Sequence, residues 1–332
     1  MKDMFKVAVV PGDGIGREVI PEAVRLLEST GLRFDFQSVE VGYEVYKEVG
    51  DPVPDEAIDE IKENRACFFG ATTTPVGVEG YRSAIITLRR ALNVYANVRP
   101  AKSYPVPSSQ EDIDLVVVRE NTEGLYSRVE WGTENAAFTV RIITREATER
   151  IARYAFDLAM KRRKRVTVVT KANVMRKTCG LFRKVCLEVA EDYPDVEVRE
   201  LFIDVAAMNM LLKPKEYDVI VTSNLFGDIL SDVAAGLVGG LGVVPSANIG
   251  SEYGLFEPVH GSAPDIAGKG IANPVAAFLS AALMLEYLGE ENWSTRIEDA
   301  IISVLREGRT LTPDLGGAST TSQLTDAVIS AL

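Results

Sequence analysis

The sequence is poor in histidine, cysteine and tryptophan, with one, three and two among its 332 residues. A single histidine, His260, excludes a zinc site built from several histidines and leaves a Ser–His–Asp hydrolase dependent on that one residue. No C-x-x-C pair occurs, and Cys179 and Cys186 are spaced to lie on one face of a predicted helix, where they cannot bridge each other. Together with Cys67, they indicate core thiols in a reducing compartment.

The sequence also lacks a basic excess and a long apolar run. Acidic residues outnumber Lys plus Arg by 48 to 36, for a net charge of −12, which provides no electrostatic footprint for nucleic acid. The basic run at 161–165 is expected to cap a helix C-terminus facing solvent. The apolar run at 5–10 is too short for a signal peptide, and the glycines at 233–251 predict a loop rather than a membrane span. We therefore expect a soluble, cytoplasmic protein that binds neither nucleic acid nor membrane.

Alternating strand and helix patterns occupy most of the chain, which is 46% hydrophobic and long enough for two domains or one large α/β domain. Strands are predicted at 5–10, 66–69, 115–118, 166–170, 196–202 and 218–222. Helices are predicted at 16–28, 55–62, 83–91, 147–161, 175–192, 226–237, 274–288 and 297–306. This order predicts a mainly parallel sheet covered by helices. A hairpin is predicted from strands at 128–131 and 137–142, and 243–274 is predicted to be loop-rich.

The segment PGDGIG at 11–16 follows a predicted strand and precedes a predicted helix. Its glycine spacing is not that of the dinucleotide fingerprint G-x-G-x-x-G, and it lacks the Lys-Ser/Thr of a P-loop. A tight turn with glycines at positive φ is the alternative interpretation.

Three aspartates are predicted near the carboxyl ends of strands. Asp228 and Asp232 lie four residues apart at the start of a helix, so their carboxylates share a face and a divalent cation would relieve their repulsion. Asp204 follows the strand that ends at Phe202. The alternatives are a solvated helix N-terminus for the pair and an N-cap for Asp204.

A lysine and three arginines also stand out near strand ends. Lys171 directly follows an apolar strand, where a partly desolvated amine can act as a base. Arg89, Arg99 and Arg119 form a set suited to carboxylate groups, and Tyr126 lies just beyond the last of them. Surface roles for the lysine and the arginines are the alternative.

The Gly-rich segment at 257–274 offers backbone N–H groups to a nucleotide. An acid such as Asp265 can bind ribose hydroxyls and repel a 2′-phosphate, which favours NAD over NADP. For His260 alone, a hydrogen-bonded structural role is the alternative.

Taken together, these segments resemble the metal-dependent β-decarboxylating dehydrogenases, the isopropylmalate/isocitrate dehydrogenase family. The resemblance runs from Val7 to about Gly317 and rests on the motifs GDGIG, LRRALNVYANVRP, RENTEGLY, KANV, NLFGDILSD and EPVHGSAPDIAGKGIANP. It implies a two-domain α/β fold that is not Rossmann, with a large mixed sheet. Residues 1–94 and 239–332 would form a large cofactor-binding domain. Residues 95–238 would form a small domain with an interlocking dimer arm near 127–145.

The resemblance also implies roles for individual residues, with the active site in the interdomain cleft. Arg89, Arg99 and Arg119 would hold the carboxylates of a 2-hydroxy-dicarboxylate. Asp228 and Asp232 would bind Mg²⁺ or Mn²⁺, with Asp204 and Lys171 contributed across a homodimer with shared active sites, or a tetramer. Lys171 would take the hydroxyl proton, with Asp204 assisting, and Tyr126 would protonate carbon. The residues implied for NAD are Thr73, Glu257, His260, Gly261, Ser262, Ala263, Asp265, Ile266 and Asn273.

The segment at 79–86 would meet the substrate's γ-substituent. Relatives acting on isocitrate have Ser-x-Asn there, whereas this chain keeps Ser83 and has Ile85 in place of the asparagine. Ile85 and Ile86 would suit an isopropyl group, which favours 3-isopropylmalate. Arg82 could instead pair with the distal carboxylate of homoisocitrate, which is the alternative substrate. An inactive regulatory subunit and a phosphate-binding protein are alternatives of a different class.

Overall fold

The structure is a computed structural model that describes residues 4–75, 77–78 and 80–332. Its chain forms two compact units. The first comprises the described residues up to Val94, with Tyr104–Ser109 and Gly239–Leu332. The second comprises Tyr95–Ser103 and Gln110–Val238.

Strands and helices alternate through both units. The strands are β1 (Phe5–Gly12), β2 (Phe34–Ser38), β3 (Ala66–Ala71), β4 (Ala96–Lys102), β5 (Asp114–Glu120), β6 (Glu130–Gly132), β7 (Ala137–Thr139), β8 (Arg165–Thr170), β9 (Glu197–Phe202), β10 (Val219–Thr222), β11 (Pro245–Ile249) and β12 (Gly254–Pro258). The helices are α1 (Gly16–Ser29), α2 (Tyr43–Val49), α3 (Asp55–Lys62), α4 (Ala84–Ala91), α5 (Arg145–Met160), α6 (Thr178–Ala190), α7 (Ile203–Leu212), α8 (Asn224–Leu237), α9 (Val275–Tyr287), α10 (Glu291–Glu307) and α11 (Thr321–Ala331). Within the described ranges, none of these helices combines the length and apolar character needed to cross a membrane.

The first unit contains strands in the order β2-β1-β3-β12-β11. The first four are parallel, and β11 runs antiparallel to β12. Every residue of β3, with the sequence ACFFGA, is buried, as expected for a strand covered on both faces. Helix α9 is buried along most of its length and packs against β11 and β12, which makes it the central helix of this core.

The second unit contains strands in the order β4-β5-β10-β8-β9, with β4 antiparallel to β5 and the others parallel. Thr222 at the end of β10 pairs with Arg119 of β5, and Thr170 at the end of β8 pairs with Phe202 of β9. The carboxyl ends of these four strands therefore meet at one edge. In open α/β sheets this edge is where ligands bind.

The predicted fold class is confirmed, since both units are mixed α/β layers. The predicted hairpin is confirmed as β6 and β7, although each strand is only three residues long. The segment 243–274, predicted to be loop-rich, contains the strands β11 and β12, and no helix or strand follows from 259 to 274. The loop predicted at 233–251 is wrong in part, since α8 continues to Leu237 and β11 begins at Pro245. Both strands contain glycine or proline, which are unusual in strands, so the sequence pattern did not predict them.

Strand β4 and helix α7 were not predicted, for different reasons. The sequence of β4, ANVRPAK, contains Pro100 and two basic residues, which are unusual within a strand. Helix α7 follows β9 without a loop and lacks a one-sided apolar pattern, so no periodicity marks it. Three further elements, β2, α2 and α11, are short or polar and were also missed.

The basic run at 161–165 follows the end of α5, but its expected solvent-facing role is wrong in part. Arg162 Nε donates to Asp218 Oδ1 at 2.8 Å, and the Asp218 side chain is fully buried. The backbone N–H of Arg163 donates to the other oxygen of the same carboxylate at 3.0 Å. A buried carboxylate needs such donors, so this run anchors the start of β10.

The three cysteines are buried and unbridged, as predicted. Burial raises the pKa of the Cys67 and Cys186 thiols, so both stay protonated and unreactive at neutral pH.

Candidate active site

An ion pair between the buried Arg119 and the half-buried Asp228 lies at the carboxyl edge of the second unit. Arg119, near the end of β5, is one of the largest fully buried side chains. Its Nη1 donates to Asp228 Oδ1, while Nε and Nη2 donate to Asn224 Oδ1 at 3.0 and 2.7 Å. Asn224 and Asp228 lie one helical turn apart at the start of α8, so one face of this helix holds the guanidinium group.

Tyr126 and Arg99 contact the same aspartate. The Tyr126 hydroxyl donates to Asp228 Oδ2 at 2.6 Å, and the Arg119 guanidinium carbon lies 5.1 Å from the Tyr126 ring centroid. Arg99 Nη1 lies 3.4 Å from Asp228 Oδ1 and 3.5 Å from Asp232 Oδ1. Two arginines thus face two aspartates, and the cluster's formal charges balance.

Burial sets the protonation of two members of this cluster. Burial, and next its hydrogen bond to Asp228, raises the pKa of Tyr126. The phenol therefore keeps its proton at neutral pH and donates it in a hydrogen bond to Asp228. Burial also raises the pKa of Asp232, against the opposing charge of Arg99.

The oxygen donors of Asp228 and Asp232 fit Mg²⁺ or Mn²⁺ in chemistry. Both Asp228 oxygens already accept hydrogen bonds from Arg119 or Tyr126, so a cation would have to replace some of these contacts. Across the ranges that the structure describes, no group of three or more acidic, cysteine or histidine side chains could hold a metal ion. Asp204 of the same chain therefore does not complete a site with the other two.

Lys171 and Asp204 form a separate pair at the same sheet edge. Pairing of β8 with β9 places them side by side, and Lys171 Nζ lies 2.5 Å from Asp204 Oδ1. This hydrogen bond lowers the pKa of Asp204. The residue preceding α7 is Phe202, and Asp204 lies in the first turn, so the N-cap interpretation of Asp204 is wrong.

In the first unit, Arg89 of α4 is buried and pairs with Glu257 of β12, with Nη2 2.8 Å from Oε1. Asn248 Nδ2 donates to the same glutamate oxygen at 2.7 Å. The Arg89 Nε is buried and has no hydrogen-bond partner within the described residues. The pair therefore leaves one donor of this arginine unused.

Two segments proposed for the cofactor meet in the first unit. Thr73 Oγ1 donates to Ser262 Oγ at 2.8 Å, which joins the end of β3 to the 257–274 segment. His260 Nδ1 lies 3.0 Å from the Gly261 carbonyl oxygen, and its buried Nε2 has no partner in the described part of the chain. Burial lowers the pKa of His260, so the ring is neutral at physiological pH.

The remaining residues proposed for the cofactor follow along the same segment. Ala263 adopts a positive φ of 38°, and its carbonyl accepts the Ile266 N–H at 3.1 Å. Asp265 is exposed and Ile266 is half-buried. Asn273 is buried and donates to Asp314 Oδ2 at 2.9 Å. Asn273 is therefore already engaged, whereas Asp265 faces solvent.

The residues proposed to read the substrate's side chain lie before and within the first turn of α4. Ile85 packs against the buried core, Ile86 is half-buried, and Ser83 precedes the helix. Arg82 is exposed and pairs with Asp51 at 2.8 Å. Glu79, which opens this segment, lies outside the described residues.

Three site residues were missed by sequence reasoning. Asn224 accepts hydrogen bonds from Arg119. Ser231 Oγ accepts one from Arg99 Nη1 at 2.7 Å. Both lie on the helix face of Asp228, at the i, i+4, i+7 spacing, which is a signal that could have identified them. Asn248 lies in a segment predicted as loop, and no pattern marked it.

We expect Gly227→Ala to disturb the ion pair, because a Cβ there would lie 2.6 Å from Cβ and Cγ of Arg119. Such overpacking lowers the free energy of unfolding by about 1–3 kcal/mol, measured by urea denaturation. Gly236→Ala is the matched control on the same helix, since a Cβ there meets nothing within 4 Å. It should raise stability by up to about 1 kcal/mol through helix propensity. Equal effects of the two substitutions would contradict this packing.

Tyr126→Phe tests the raised pKa of the tyrosine. The ultraviolet absorbance of the native chain and of the variant is measured as pH is raised. The difference between them should show the Tyr126 phenol ionising above the ordinary tyrosine pKa of about 10. Because the folded-state pKa is raised, the hydroxyl's stabilising contribution is present at neutral pH and is lost as pH rises through the folded-state pKa. A difference signal that titrates at or below the ordinary value would refute the assignment.

Comparisons with known proteins identify the family. The family model described as isocitrate/isopropylmalate dehydrogenase matches residues 6–328. An isocitrate/homoisocitrate dehydrogenase of Thermus thermophilus is 52% identical over 330 residues, covering 99% of this chain and 98% of the relative. A 3-isopropylmalate/3-methylmalate dehydrogenase of Methanocaldococcus jannaschii is 51% identical over 332 residues, covering 98% of each.

Among solved structures, an isocitrate dehydrogenase from Methylococcus capsulatus superposes with a TM-score of 0.96 at 47% identity, covering 99% of both chains. This agreement extends along the chain, and the predicted family resemblance is confirmed. The names of these similar proteins differ in substrate. The chain therefore belongs to the isocitrate/isopropylmalate dehydrogenase family, whose members are oxidative decarboxylating enzymes.

Proposed function

We propose that this chain is a cytoplasmic enzyme that oxidatively decarboxylates 3-isopropylmalate with NAD and a divalent cation. The products would be 4-methyl-2-oxopentanoate and CO₂, as a step of leucine biosynthesis. The observation that carries the proposal is the cluster in which Arg99, Arg119 and Tyr126 all contact Asp228. It combines carboxylate-binding groups, a carboxylate for a cation and a protonated phenol.

In this proposal the arginines bind the two carboxylates of the substrate. A guanidinium group matches a carboxylate in shape and charge. Arg99 and Arg119 pair with aspartates, and Arg89 pairs with Glu257. Substrate carboxylates would replace these partners, and the displaced Asp228 and Asp232 would then face the divalent cation.

Two side chains move protons in the proposed reaction. Lys171, once its own proton has passed to Asp204 or to water, would accept the substrate's hydroxyl proton as the hydride leaves the same carbon for NAD. After the neighbouring carboxylate departs as CO₂, Tyr126 donates its proton to the carbon that carried it. The position of Tyr126 supports this role, because its hydroxyl is held by Asp228 beside the groups proposed to bind substrate and cation.

We also propose which residues bind the divalent cation and NAD. Asp228 and Asp232 would hold Mg²⁺ or Mn²⁺, which when bound polarises the substrate's oxygens. NAD would accept the hydride, with Glu257, Ser262 and Asp265 among its binding residues. The exposed carboxylate of Asp265 is suited to ribose hydroxyls and unfavourable to a 2′-phosphate.

The identity of the substrate rests on α4 and the residues before it. Ile86 offers an apolar, half-buried surface, whereas the guanidinium of Arg82 is already paired with Asp51. A distal carboxylate would therefore have to compete with Asp51 for Arg82. An isopropyl group requires no such exchange, which favours 3-isopropylmalate.

The test is NAD reduction by the purified chain with 3-isopropylmalate, homoisocitrate, isocitrate and malate, with and without Mg²⁺. We expect the highest kcat/KM with 3-isopropylmalate and loss of activity in EDTA. Arg119→Lys should lower kcat/KM by about 100-fold or more, because lysine lacks the bidentate fork. Arg153→Lys, at an exposed ion pair with Glu149, is the control and should have little effect. Absence of NAD reduction with every substrate would contradict the proposed reaction.

Homoisocitrate is the second candidate, because Arg82 is a cation in the segment proposed to meet the substrate's side chain. If it serves that substrate, Arg82→Leu should lower kcat/KM for homoisocitrate and leave 3-isopropylmalate unaffected. Unchanged homoisocitrate turnover in this variant would remove the support for the second candidate. Activity of the purified single chain on either substrate would exclude an inactive regulatory subunit.

We also propose a homodimer in which Lys171 and Asp204 serve the partner's site. Support comes from α7, where Met208, Leu211 and Leu212 are 52%, 59% and 69% exposed. Such an apolar surface is typical of a protein–protein contact. In addition, Asp204 does not join Asp228 and Asp232 in a metal-binding group within the described residues of one chain.

Mixing inactive variants tests this sharing. Lys171→Met and Tyr126→Phe should each be nearly inactive alone. If the two residues act in one site from different chains, a mixed dimer contains one site with both native residues. Random reassortment should then restore about a quarter of the native activity, because half of the dimers are mixed. No recovery in dimers shown to be mixed would place both residues in the same chain's site.

A further inference from the structure

The PGDGIG segment and the first turn of α1 contact two segments of the proposed cofactor site. The chain turns sharply here, with positive φ at Gly12 and Gly14 of 73° and 56°. A Cβ at Gly14 would lie 2.0 Å from the Ser262 carbonyl oxygen, so glycine permits this approach. The Ile15 N–H donates to the same carbonyl at 2.9 Å.

The two acidic side chains of this region accept backbone N–H groups from the same segments. Asp13 is buried, and its Oδ2 accepts from Thr73 N and Tyr43 N, both at 2.8 Å. Glu18, in the first turn of α1, accepts from Gly268 N through one oxygen and from Gly270 N at 3.0 Å through the other. The two carboxylates thus hold backbone after β3 and backbone in the 257–274 segment.

These hydrogen bonds indicate a structural role for the PGDGIG segment at 11–16. The segment resembles a nucleotide-binding loop in composition, yet its own N–H groups of Asp13 and Ile15 are donated to carbonyls of Ala71 and Ser262. N–H groups engaged in this way are not available to a phosphate. The carboxylates instead fix the backbone of neighbouring segments.

We propose that Glu18 is a positioning residue for NAD binding, which acts by fixing the backbone of residues 268–270, shortly after Asp265. This inference rests on the proposed function, because it takes the 257–274 segment as the cofactor site. The N–H groups of Gly268 and Gly270 lie two residues apart in a Gly-rich loop, and the carboxylate of Glu18 holds both, one with each oxygen. The Thr321 N–H also holds the Gly270 carbonyl at 2.9 Å, and Lys269 N donates to the Ile266 carbonyl at 3.2 Å. Loss of Glu18 would therefore loosen residues 268–270 without unfolding the segment that carries Asp265.

The experiment compares Glu18→Gln and Glu18→Ala with the native chain. Glutamine keeps one carbonyl oxygen and turns an amide group toward the second N–H, whereas alanine removes both acceptors. Glu22→Gln is the matched control, since Glu22 lies one turn further along α1 and pairs with Arg25 on the surface. Hydrogen exchange of a peptide covering 266–272 is measured without NAD, and NAD affinity is measured by calorimetry.

We expect faster exchange in this peptide and NAD binding weaker by about tenfold for Glu18→Gln, with a larger effect for Glu18→Ala. KM for the substrate and the melting temperature should change no more than in Glu22→Gln. A general loss of structure would instead weaken the binding of NAD and of the substrate together.

Unchanged exchange at 266–272 in Glu18→Ala would overturn the proposal, because Glu18 would then not hold the loop. Faster exchange with unchanged NAD affinity would overturn the positioning role. A native chain that binds no NAD would refute the proposed function and the cofactor role with it. The exchange measured on that same chain would still distinguish this result from a failure of the loop contact.

Discussion

The buried guanidinium of Arg119 is the constraint on which the second unit's site depends. A charge removed from water is tolerated only when opposite charge and hydrogen-bond acceptors surround it. Asn224 and Asp228 provide these acceptors, and both come from the first turns of α8. Gly227 lies between them, where any side chain would meet Arg119. The start of α8 is thereby fixed against the end of β5, and Tyr126 and Arg99 are placed by the same aspartate.

The same arrangement recurs at the other cationic residues proposed for the reaction. Lys171 is held by Asp204, and Arg89 by Glu257. In each case a carboxylate forms an ion pair with a side chain that the proposed reaction would use to bind substrate or to transfer a proton. Such pairs keep the side chains in one conformation before ligands bind, which reduces the ordering cost of binding. The net charge of −12 thus describes the whole chain, whereas these sites have local charge balance.

The glycines of the chain show how one residue type serves different purposes. Gly12 and Gly14 allow a turn to approach Ala71 and Ser262, and Gly227 allows a helix to approach an arginine. In the 268–270 region the glycines instead lie in a loop whose backbone N–H groups donate to Glu18. Composition alone does not distinguish glycines that permit a close approach from glycines in an open loop. The difference depends on which atoms of the fold lie where a Cβ would be.

The sequence by itself determined the α/β class, the family and most of the helices, because periodicity and long motifs are local properties of the chain. It also predicted Arg119 and Asp228 as site residues, since one follows a recognisable strand and the other opens a recognisable helix, and the structure pairs the two side chains. Tertiary structure alone decided their contacts. The strands β11 and β12, the acceptors Asn224 and Asn248, and the bonds from Glu18 to residues 250 or more positions away depend on segments distant in sequence. No local pattern encodes such contacts, because they arise only when the sheet order brings the segments together.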